Sequence, residues 1–272
     1  MLETLLDRGD GAPLPLPPDI ARRYGGGLRF PAAAPHVFAN FVATIDGVVS
    51  FGTPGEDRAR HVSRGEPSDR FVLALLRAVA DAVIVGAGTL RKEPDSVWTA
   101  ESVFPDAGDG FAQLRAAAAR PEQPLTVIVS ATGELDFALP AFHRGGPVLV
   151  ATTAAGARRL PRTPSRVAVR ALSDGDDVPM SDVVKVAMEV AGGGHILTEG
   201  GATILGRFLD ERVLDELFLT IAPRIAGRSR EAPRVALVEG AAFAAKAAPG
   251  ARLVSLKAAG DYLFTRYAFA RD

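Results

Sequence analysis

Hydrophobic and polar positions follow two patterns along the chain. Short, nearly continuous apolar runs predict strands that are covered on both faces. These runs lie at Val37–Ile45, Ala82–Val85, Leu125–Val129, Val148–Thr152, Arg166–Val169, His195–Thr198, Glu216–Ile221 and Tyr262–Phe269. Segments typical of helices lie between them, at Ser68–Val79, Gly110–Ala119, Ala154–Leu160, Ser181–Val190 and Ala202–Leu209. Because strands and helices alternate, we expect an α/β fold with a mainly parallel central sheet and flanking helices.

Both ends of the chain depart from this alternation. The segments at about 215–221, 252–257 and 262–269 have no long helix between them, so they are predicted to finish the sheet as antiparallel strands. Several prolines and the run Gly25–Gly27 interrupt residues 1–30. Such a segment is typical of an extended surface arm. We therefore predict an arm over residues 1–34 and one α/β domain over residues 35–272.

The first long helix carries its own start signals. Ser68 is the expected N-cap, and Asp69 suits the positive end of the helix. Phe71, Leu75 and Leu76 then fall on one apolar face.

Composition excludes several classes of function. The chain has 272 residues and no cysteine, which excludes disulfides, a thiolate nucleophile and cysteine-ligated zinc. The four histidines are scattered and form no HExxH motif, so no metal site is expected. A net charge of -1 and a single tryptophan give no general surface for nucleic acid. No run approaches the roughly 20 apolar residues of a membrane span, and the N-terminus has no signal-peptide core. We expect a cytoplasmic protein without nucleic-acid or membrane partners.

A first glycine-bearing turn follows the predicted strand at Ala82–Val85. It reads Gly86-Ala87-Gly88-Thr89 and leads into a helix start. Glycines let a backbone approach a ligand closely, and free N–H groups at a helix start attract anions. Arg91 occupies the place of the third glycine of a dinucleotide-binding fingerprint. The turn therefore predicts either a phosphate site or a simple strand-to-helix connection.

A second turn has a carboxylate directly before its glycines. Glu199-Gly200-Gly201 follows the strand at His195–Thr198 and precedes a helix. Ligands on open α/β sheets bind at the carboxyl ends of strands, where this residue is expected to lie. A buried carboxylate requires a partner, so Glu199 is predicted to contact either a ligand or the N–H groups of its own turn.

A third feature is the pair Asp46-Gly47 between two apolar runs. This pattern predicts a tight β-hairpin, with a catalytic aspartate as the alternative. The polar segment 50–64 that follows would suit a loop over a site.

Taken together, these motifs resemble one family. They occur in the family's order at Ala43–Gly47, Leu75–Arg77, Asp81–Thr89, Glu199–Thr203, Asp215–Leu217 and Ala222–Pro223. The set is similar to the reductase domain of bacterial riboflavin biosynthesis, which has a dihydrofolate reductase-like fold. The resemblance covers about residues 35–270. In relatives of this fold, the two adjacent glycines of the second turn can be joined by a cis peptide.

The resemblance implies an NADPH-dependent reductase and names its site residues. Such enzymes reduce the ribosylamino group of a phosphorylated pyrimidine, a small-molecule substrate, to the ribityl form. Glu199 would be the catalytic residue, and substrate would contact Asn40, Arg77 and Glu199. Cofactor contacts would be Val49, Thr89, Glu93, Ser130, Gly200, Gly201, Ala202, Thr203, Ile204, Leu205, Gly206 and Arg207. Candidates by charge for the NADPH 2′-phosphate are Arg91, Lys92 and Arg158.

The family also implies a homodimer formed near the C-terminal strands. The apolar segment Leu214–Ala222 would suit burial in such an interface, and it would equally suit an internal strand.

The sequence departs from the family pattern in three places. No cysteine is present to build a deaminase zinc site, so a stand-alone reductase is expected. Asn40 replaces an expected lysine, and the segment 97–100 lacks an expected arginine. Arg58, Arg60 and Arg64 are the candidates to replace these cations. Two alternatives therefore stand beside the riboflavin-type substrate: reduction of another substrate, such as dihydrofolate or a pterin, and a non-catalytic nucleotide-binding protein.

Overall fold

The fold is seen in a computed structural model that describes residues 1–31, 34–52 and 59–270. Its strands are β1 (Glu3–Asp7), β2 (Ala12–Pro13), β3 (Arg29–Phe30), β4 (His36–Thr44), β5 (Val48–Ser50), β6 (Ala82–Gly86), β7 (Leu125–Ser130), β8 (Val148–Thr153), β9 (Val167–Ser173), β10 (His195–Thr198), β11 (Glu216–Ala222), β12 (Val235–Ala236), β13 (Ala251–Ala259) and β14 (Tyr262–Phe269). Its α-helices are α1 (Pro18–Tyr24), α2 (Ala59–Val62), α3 (Pro67–Val79), α4 (Ala87–Lys92), α5 (Ala100–Val103), α6 (Gly108–Ala117), α7 (Ala154–Arg159), α8 (Met180–Ala191) and α9 (Ala202–Asp210). Short 3-10 helices lie at Pro105–Ala107 and Pro140–Phe142.

One large mixed sheet forms the centre of the molecule. Its strand order is β1-β13-β14-β11-β4-β10-β6-β7-β8-β9. Every neighbouring pair from β11 to β9 is parallel. The pairs β11–β14, β14–β13 and β13–β1 are antiparallel. The predicted fold class, a mainly parallel sheet with antiparallel C-terminal strands and flanking helices, is confirmed.

Two apolar layers cover the two faces of this sheet. Within β6, Val83 and Val85 face one layer while Ala82 and Ile84 face the other. Helices α3 and α6 supply the first layer, and α8 and α9 supply the second. Burial on both faces explains why the parallel strands read as continuous apolar runs. Within the described residues, no helix is long and apolar enough to cross a membrane.

The N-terminal residues pack into the first of these layers. Ile20, Leu28 and Phe30 are buried there, and β1 forms an edge strand beside β13. The ammonium group of Lys257 donates to the Thr4 hydroxyl oxygen at 2.6 Å, which fastens β1 to the sheet. The division of the chain at residue 34 stays a prediction.

The predicted hairpin at Asp46-Gly47 is wrong, although the chain does turn there. Gly47 has a φ of 78° and donates its N–H to the Thr44 carbonyl at 2.9 Å. However, β5 pairs with β12 in a separate two-stranded sheet. Strand β4 pairs with β10 along His36–Ala39 and with β11 along Phe38–Thr44, and within the described residues β5 pairs with neither of its edges.

Asp46 is held by the protein itself. Its carboxylate accepts hydrogen bonds from the Thr44 hydroxyl at 2.5 Å and from the backbone N–H groups of Ala226 and Gly227 at 3.0 and 2.8 Å. These bonds, led by the one from Thr44, lower the pKa of Asp46 to about 2. The residue therefore anchors the loop after β11.

Helix α3 begins one residue earlier than predicted, and Ser68 is not its N-cap. The N-cap is Glu66, whose side chain accepts the Ser68 N–H at 3.2 Å. Pro67 takes the first helical position, where its missing N–H costs nothing.

The apolar segment Leu214–Ala222 is explained within the molecule. It contains the whole of β11, which lies between β4 and β14. Its buried residues therefore serve the core of one chain, and the homodimer stays a prediction.

Candidate functional site

The two glycine-bearing turns lie side by side. Strands β6 and β10 are parallel neighbours, and the Glu199 N–H donates to the Ile84 carbonyl at 3.0 Å. Both turns therefore leave the sheet at the same carboxyl edge. A side chain at position 201 would place its Cβ 3.5 Å from the Thr89 hydroxyl oxygen. The gap between the turns is thus about one side chain wide.

A cleft of about 840 Å³ opens over both turns, and we call it the outer cleft. Its walls are the two turns, the end of β7, the start of α9 and the segment 233–235. Predicted cofactor residues that line it are Thr89, Ser130, Gly201, Ala202, Thr203, Ile204 and Arg207. Of the cations predicted for the 2′-phosphate, Arg91 and Lys92 line it as well.

A smaller cavity of about 180 Å³ adjoins the outer cleft, and we call it the inner cavity. Predicted site residues that line it are Asn40, Val49, Arg77, Thr89, Glu93, Glu199, Gly200, Gly201 and Ala202. The two spaces share the residues Thr89, Lys92, Gly201, Ala202 and Val235. A long ligand in the outer cleft can therefore reach a second ligand in the inner cavity.

The glycines of the turns serve two different purposes. A Cβ at Gly86 or Gly200 would lie 2.7 or 2.6 Å from the Ile204 side chain, so these two glycines allow the turns to pack on Ile204. Gly201 meets no such obstacle, and its absent side chain leaves the cleft open. The Gly200–Gly201 peptide is trans, since the cis peptide among the described residues joins Ala34 to Pro35.

Helix α9 points its N-terminus into the outer cleft. The helix has nine residues, begins after Gly201 and has no side-chain cap on its first N–H groups. Uncapped N–H groups and the positive end of the helix dipole favour a negatively charged ligand group. This end of the cleft therefore suits a phosphate.

Arg77 and Glu199 form a buried ion pair on the wall of the inner cavity. Arg77 Nε and Nη2 donate to Glu199 Oε1 and Oε2 at 2.8 and 2.6 Å. Arg77 Nη1 also donates to the carbonyls of Val97 and Thr99, each at 3.2 Å. The partner of Glu199 is thus the side chain of Arg77, which the position of Glu199 after β10 did not predict. In this pair the carboxylate can still accept hydrogen bonds from a ligand.

Some predicted residues lie elsewhere. Leu205 is buried in the layer between α9 and the sheet, and Gly206 packs against the Glu239 carbonyl, where a Cβ would lie at 2.3 Å. Neither lines the outer cleft, because each helical residue turns by about 100° and only one face of α9 meets the cleft. Arg158, Arg60 and Arg64 line neither space. Arg58 lies outside the described residues.

Sequence reasoning missed three residues of the site. Trp98 is buried and lines the inner cavity, and Val235 reaches both spaces from strand β12, which is distant in sequence. Asp69 also lines the inner cavity, although its position predicted only a favourable helix start. Burial raises the pKa of Asp69 to about 6, against hydrogen bonds with Thr220 and Ser63 that lower it.

Comparison with known proteins identifies the family. The model of the family described as the RibD C-terminal domain matches residues 35–261. The chain belongs to this family, as the order of its motifs predicted. A relative in Archaeoglobus fulgidus, 2,5-diamino-6-ribosylamino-4(3H)-pyrimidinone 5′-phosphate reductase, is 24% identical over 201 residues, which cover 74% of this chain and 85% of the relative.

Solved structures share the fold. A deaminase/5-amino-6-(5-phosphoribosylamino)uracil reductase of Thermotoga maritima has a TM-score of 0.64 at 20% identity, covering 87% of this chain and 57% of that one. The present chain thus spans little more than half of that protein. A pyrimidine reductase-like protein of Corynebacterium diphtheriae has a TM-score of 0.64 at 23% identity, covering 88% of this chain and 93% of that one.

Proposed function

We propose that this protein is an NADPH-dependent reductase that converts the ribosylamino group of a phosphorylated aminopyrimidine to the ribityl form. One observation carries the proposal: the two glycine-bearing turns lie at adjacent strand ends, on a cleft that continues into a separate inner cavity. Such an arrangement suits two ligands that must meet. Family membership and the activity of the Archaeoglobus fulgidus relative support the same reaction.

The outer cleft fits a dinucleotide. Its open space at Gly201 and the uncapped start of α9 suit a pyrophosphate that approaches the backbone closely. Arg91 and Lys92 line the cleft and suit a 2′-phosphate by their charge. Ser130 offers a hydroxyl at the end of β7. When bound there, NADPH supplies the hydride.

The inner cavity would hold the substrate. Hydride transfer needs no nucleophile from the protein, only alignment of the donor and acceptor carbons. The Arg77–Glu199 pair fixes a carboxylate on the cavity wall, where its oxygens can accept hydrogen bonds from sugar hydroxyls. Asn40 offers both a donor and an acceptor on β4. In this proposal Glu199 orients the substrate, and the proton comes from solvent.

A second candidate is reduction of dihydrofolate or another pterin. The segment 97–100 passes the inner cavity, and the residue that it contributes to the lining is Trp98. An apolar indole suits a flat heterocycle, and this segment brings no cation for a substrate phosphate.

Steady-state kinetics separates these possibilities. NADPH oxidation is measured with the ribosylaminopyrimidine phosphate, with its uracil analogue and with dihydrofolate. Turnover of a ribosylamino substrate supports the proposal, and turnover of dihydrofolate alone supports the second candidate. Calorimetry with NADPH and NADH runs beside these assays. Binding of NADPH without turnover of any acceptor would instead indicate a non-catalytic nucleotide-binding protein.

The proposal includes a cytoplasmic homodimer. Light scattering on the purified protein tests the oligomeric state, and fractionation of the producing cells tests the location.

A further inference from the structure

Asp69 is an acid on the wall of the inner cavity. It lies in the first turn of α3, is half-buried and lines the cavity. Among the described residues, no lysine, arginine or histidine forms an ion pair with it. Glu199 differs in this respect, because Arg77 neutralises it.

Three parts of the chain surround Asp69: the start of α3 and the residues before it, β11 and β14. The hydroxyls of Ser63, which precedes α3, and of Thr220, on β11, bond to its carboxyl group. Glu66, on the same helix, adds a like charge, and Tyr262, on β14, donates its own hydroxyl to the Ser63 carbonyl at 2.9 Å. Burial among these groups raises the pKa of Asp69 to about 6. An acid kept in such a place costs free energy, which is the usual mark of a functional residue.

We infer that Asp69 determines substrate specificity by accepting two hydrogen bonds from the edge of a pyrimidinone in which the ring N3–H stands next to the C2 amino group. This inference rests on the proposed function and deepens it, since it selects a 2-amino-4-oxopyrimidine over a uracil. A carboxylate offers two acceptor oxygens in one plane, which match two parallel donors. A uracil presents a carbonyl oxygen where the amino group would be, and two acceptors then oppose each other.

Charge also decides which end of the substrate lies here. A carboxylate repels a phosphate, so the phosphate end of the substrate is disfavoured at Asp69. The uncharged ring is the part that suits this end of the inner cavity, with the Trp98 indole on the cavity wall.

The test measures equilibrium binding of two free bases that differ only at C2, 2-aminopyrimidin-4-one and uracil. Uracil has no exocyclic amino group, so it cannot present the paired donors in any orientation. No NADPH is present. Trp98 is the single tryptophan of the chain and lines the inner cavity, so its fluorescence reports binding directly. We expect the wild-type protein to bind 2-aminopyrimidin-4-one about tenfold more tightly than uracil, because hydrogen bonds to a charged acceptor are strong. In Asp69→Asn, the preference should fall below about threefold.

Asp182→Asn is the matched control, because Asp182 also lies in the first turn of a helix but does not line the inner cavity. It should keep the wild-type preference. Equal binding of both bases by the wild-type protein, or a preference unchanged in Asp69→Asn, would overturn the inference. Pterins carry the same N3–H and C2 amino edge, so this binding preference does not depend on which substrate the protein reduces. The assay also contains no NADPH, so its result is independent of the turnover assay that tests the proposed function.

Discussion

Arg77 and Glu199 connect two parts of the chain that are 122 residues apart. Their bidentate pair joins the last turn of α3 to the turn that follows β10, and both side chains are buried. Arg77 also binds the carbonyls of Val97 and Thr99, so a single guanidinium group positions three walls of the inner cavity. The pair is therefore structural as well as part of the site.

Breaking this pair should lower both stability and activity. In Glu199→Gln, the buried charge of Arg77 loses its partner, and we expect the free energy of unfolding to fall by about 3–5 kcal/mol. Reduction of substrate should slow as well, because the cavity wall loses its fixed carboxylate. Denaturant unfolding and NADPH oxidation measure the two effects.

Glu93→Gln is the control for this change. Glu93 lines the same cavity but bonds to the Ser96 hydroxyl at 3.0 Å instead of an arginine. Its unfolding free energy should change by less than about 1 kcal/mol. Equal stability of Glu199→Gln and the wild type would show that the pair does not hold the cavity together.

A larger residue at position 201, in the gap between the two turns, should selectively weaken cofactor binding. Gly201 has a φ of −61°, which any residue can adopt, so Gly201→Val should fold normally. Its side chain would extend toward the Thr89 hydroxyl and occupy the space between the two turns. We expect NADPH affinity to fall by at least about 100-fold in calorimetry, since displacement of a phosphate forfeits several charge-assisted hydrogen bonds.

Gly27→Val is the comparison for that variant. Gly27 is exposed, and a Cβ there would meet no other atom within 4 Å. This variant should bind NADPH like the wild type. Retention of full affinity by Gly201→Val would mean that the cofactor does not pass between the turns.

Much of the fold was predictable because the parallel strands are buried on both faces. The apolar runs at Ala82–Val85 and His195–Thr198 can be read locally, and adjacent strand ends then bring the two glycine-bearing turns together. The hairpin prediction failed because β5 pairs with β12, a strand that lies far away in sequence.

Parts of the site could not be predicted for a similar reason. The sequence predicts Leu205 and Gly206 as cofactor contacts because the motif is continuous in sequence. A helix presents only one face to a cleft, and these two residues lie on other faces. The position of Asp69 at the positive end of a helix accounts for an acid there, and the residues next to it in sequence do not indicate that it faces a cavity. Val235 lies on the short strand β12, which has no local sequence signal, and it reaches the site because β12 pairs with β5.

Asp69 should reduce the stability of the protein at neutral pH. The folded state raises its pKa from 3.8 to about 6, so the folded protein holds this proton more tightly than the unfolded chain does. Its favourable contribution is present below about pH 4 and disappears as the pH rises through about 6. We expect Asp69→Asn to raise the free energy of unfolding at pH 8 by about 1–3 kcal/mol, as measured by denaturant titration. At pH 4 the gain should vanish, and a variant less stable than the wild type at pH 8 would contradict this account.

Asp81 should show the opposite pH dependence. Burial alone would raise its pKa, but hydrogen bonds from His195 and the charge of Arg120, whose Nε lies 2.8 Å from Oδ1, lower it from 3.8 to about 2. Its contribution to stability is therefore present above about pH 4 and is lost as the pH falls toward 2. We expect Asp81→Asn to lower the free energy of unfolding at pH 7 by about 2 kcal/mol, with a difference that shrinks in acid. The exposed Asp261→Asn serves as the control and should match the wild type at both pH values. A loss in Asp81→Asn that stays constant between pH 7 and pH 2 would assign the effect to packing instead of charge.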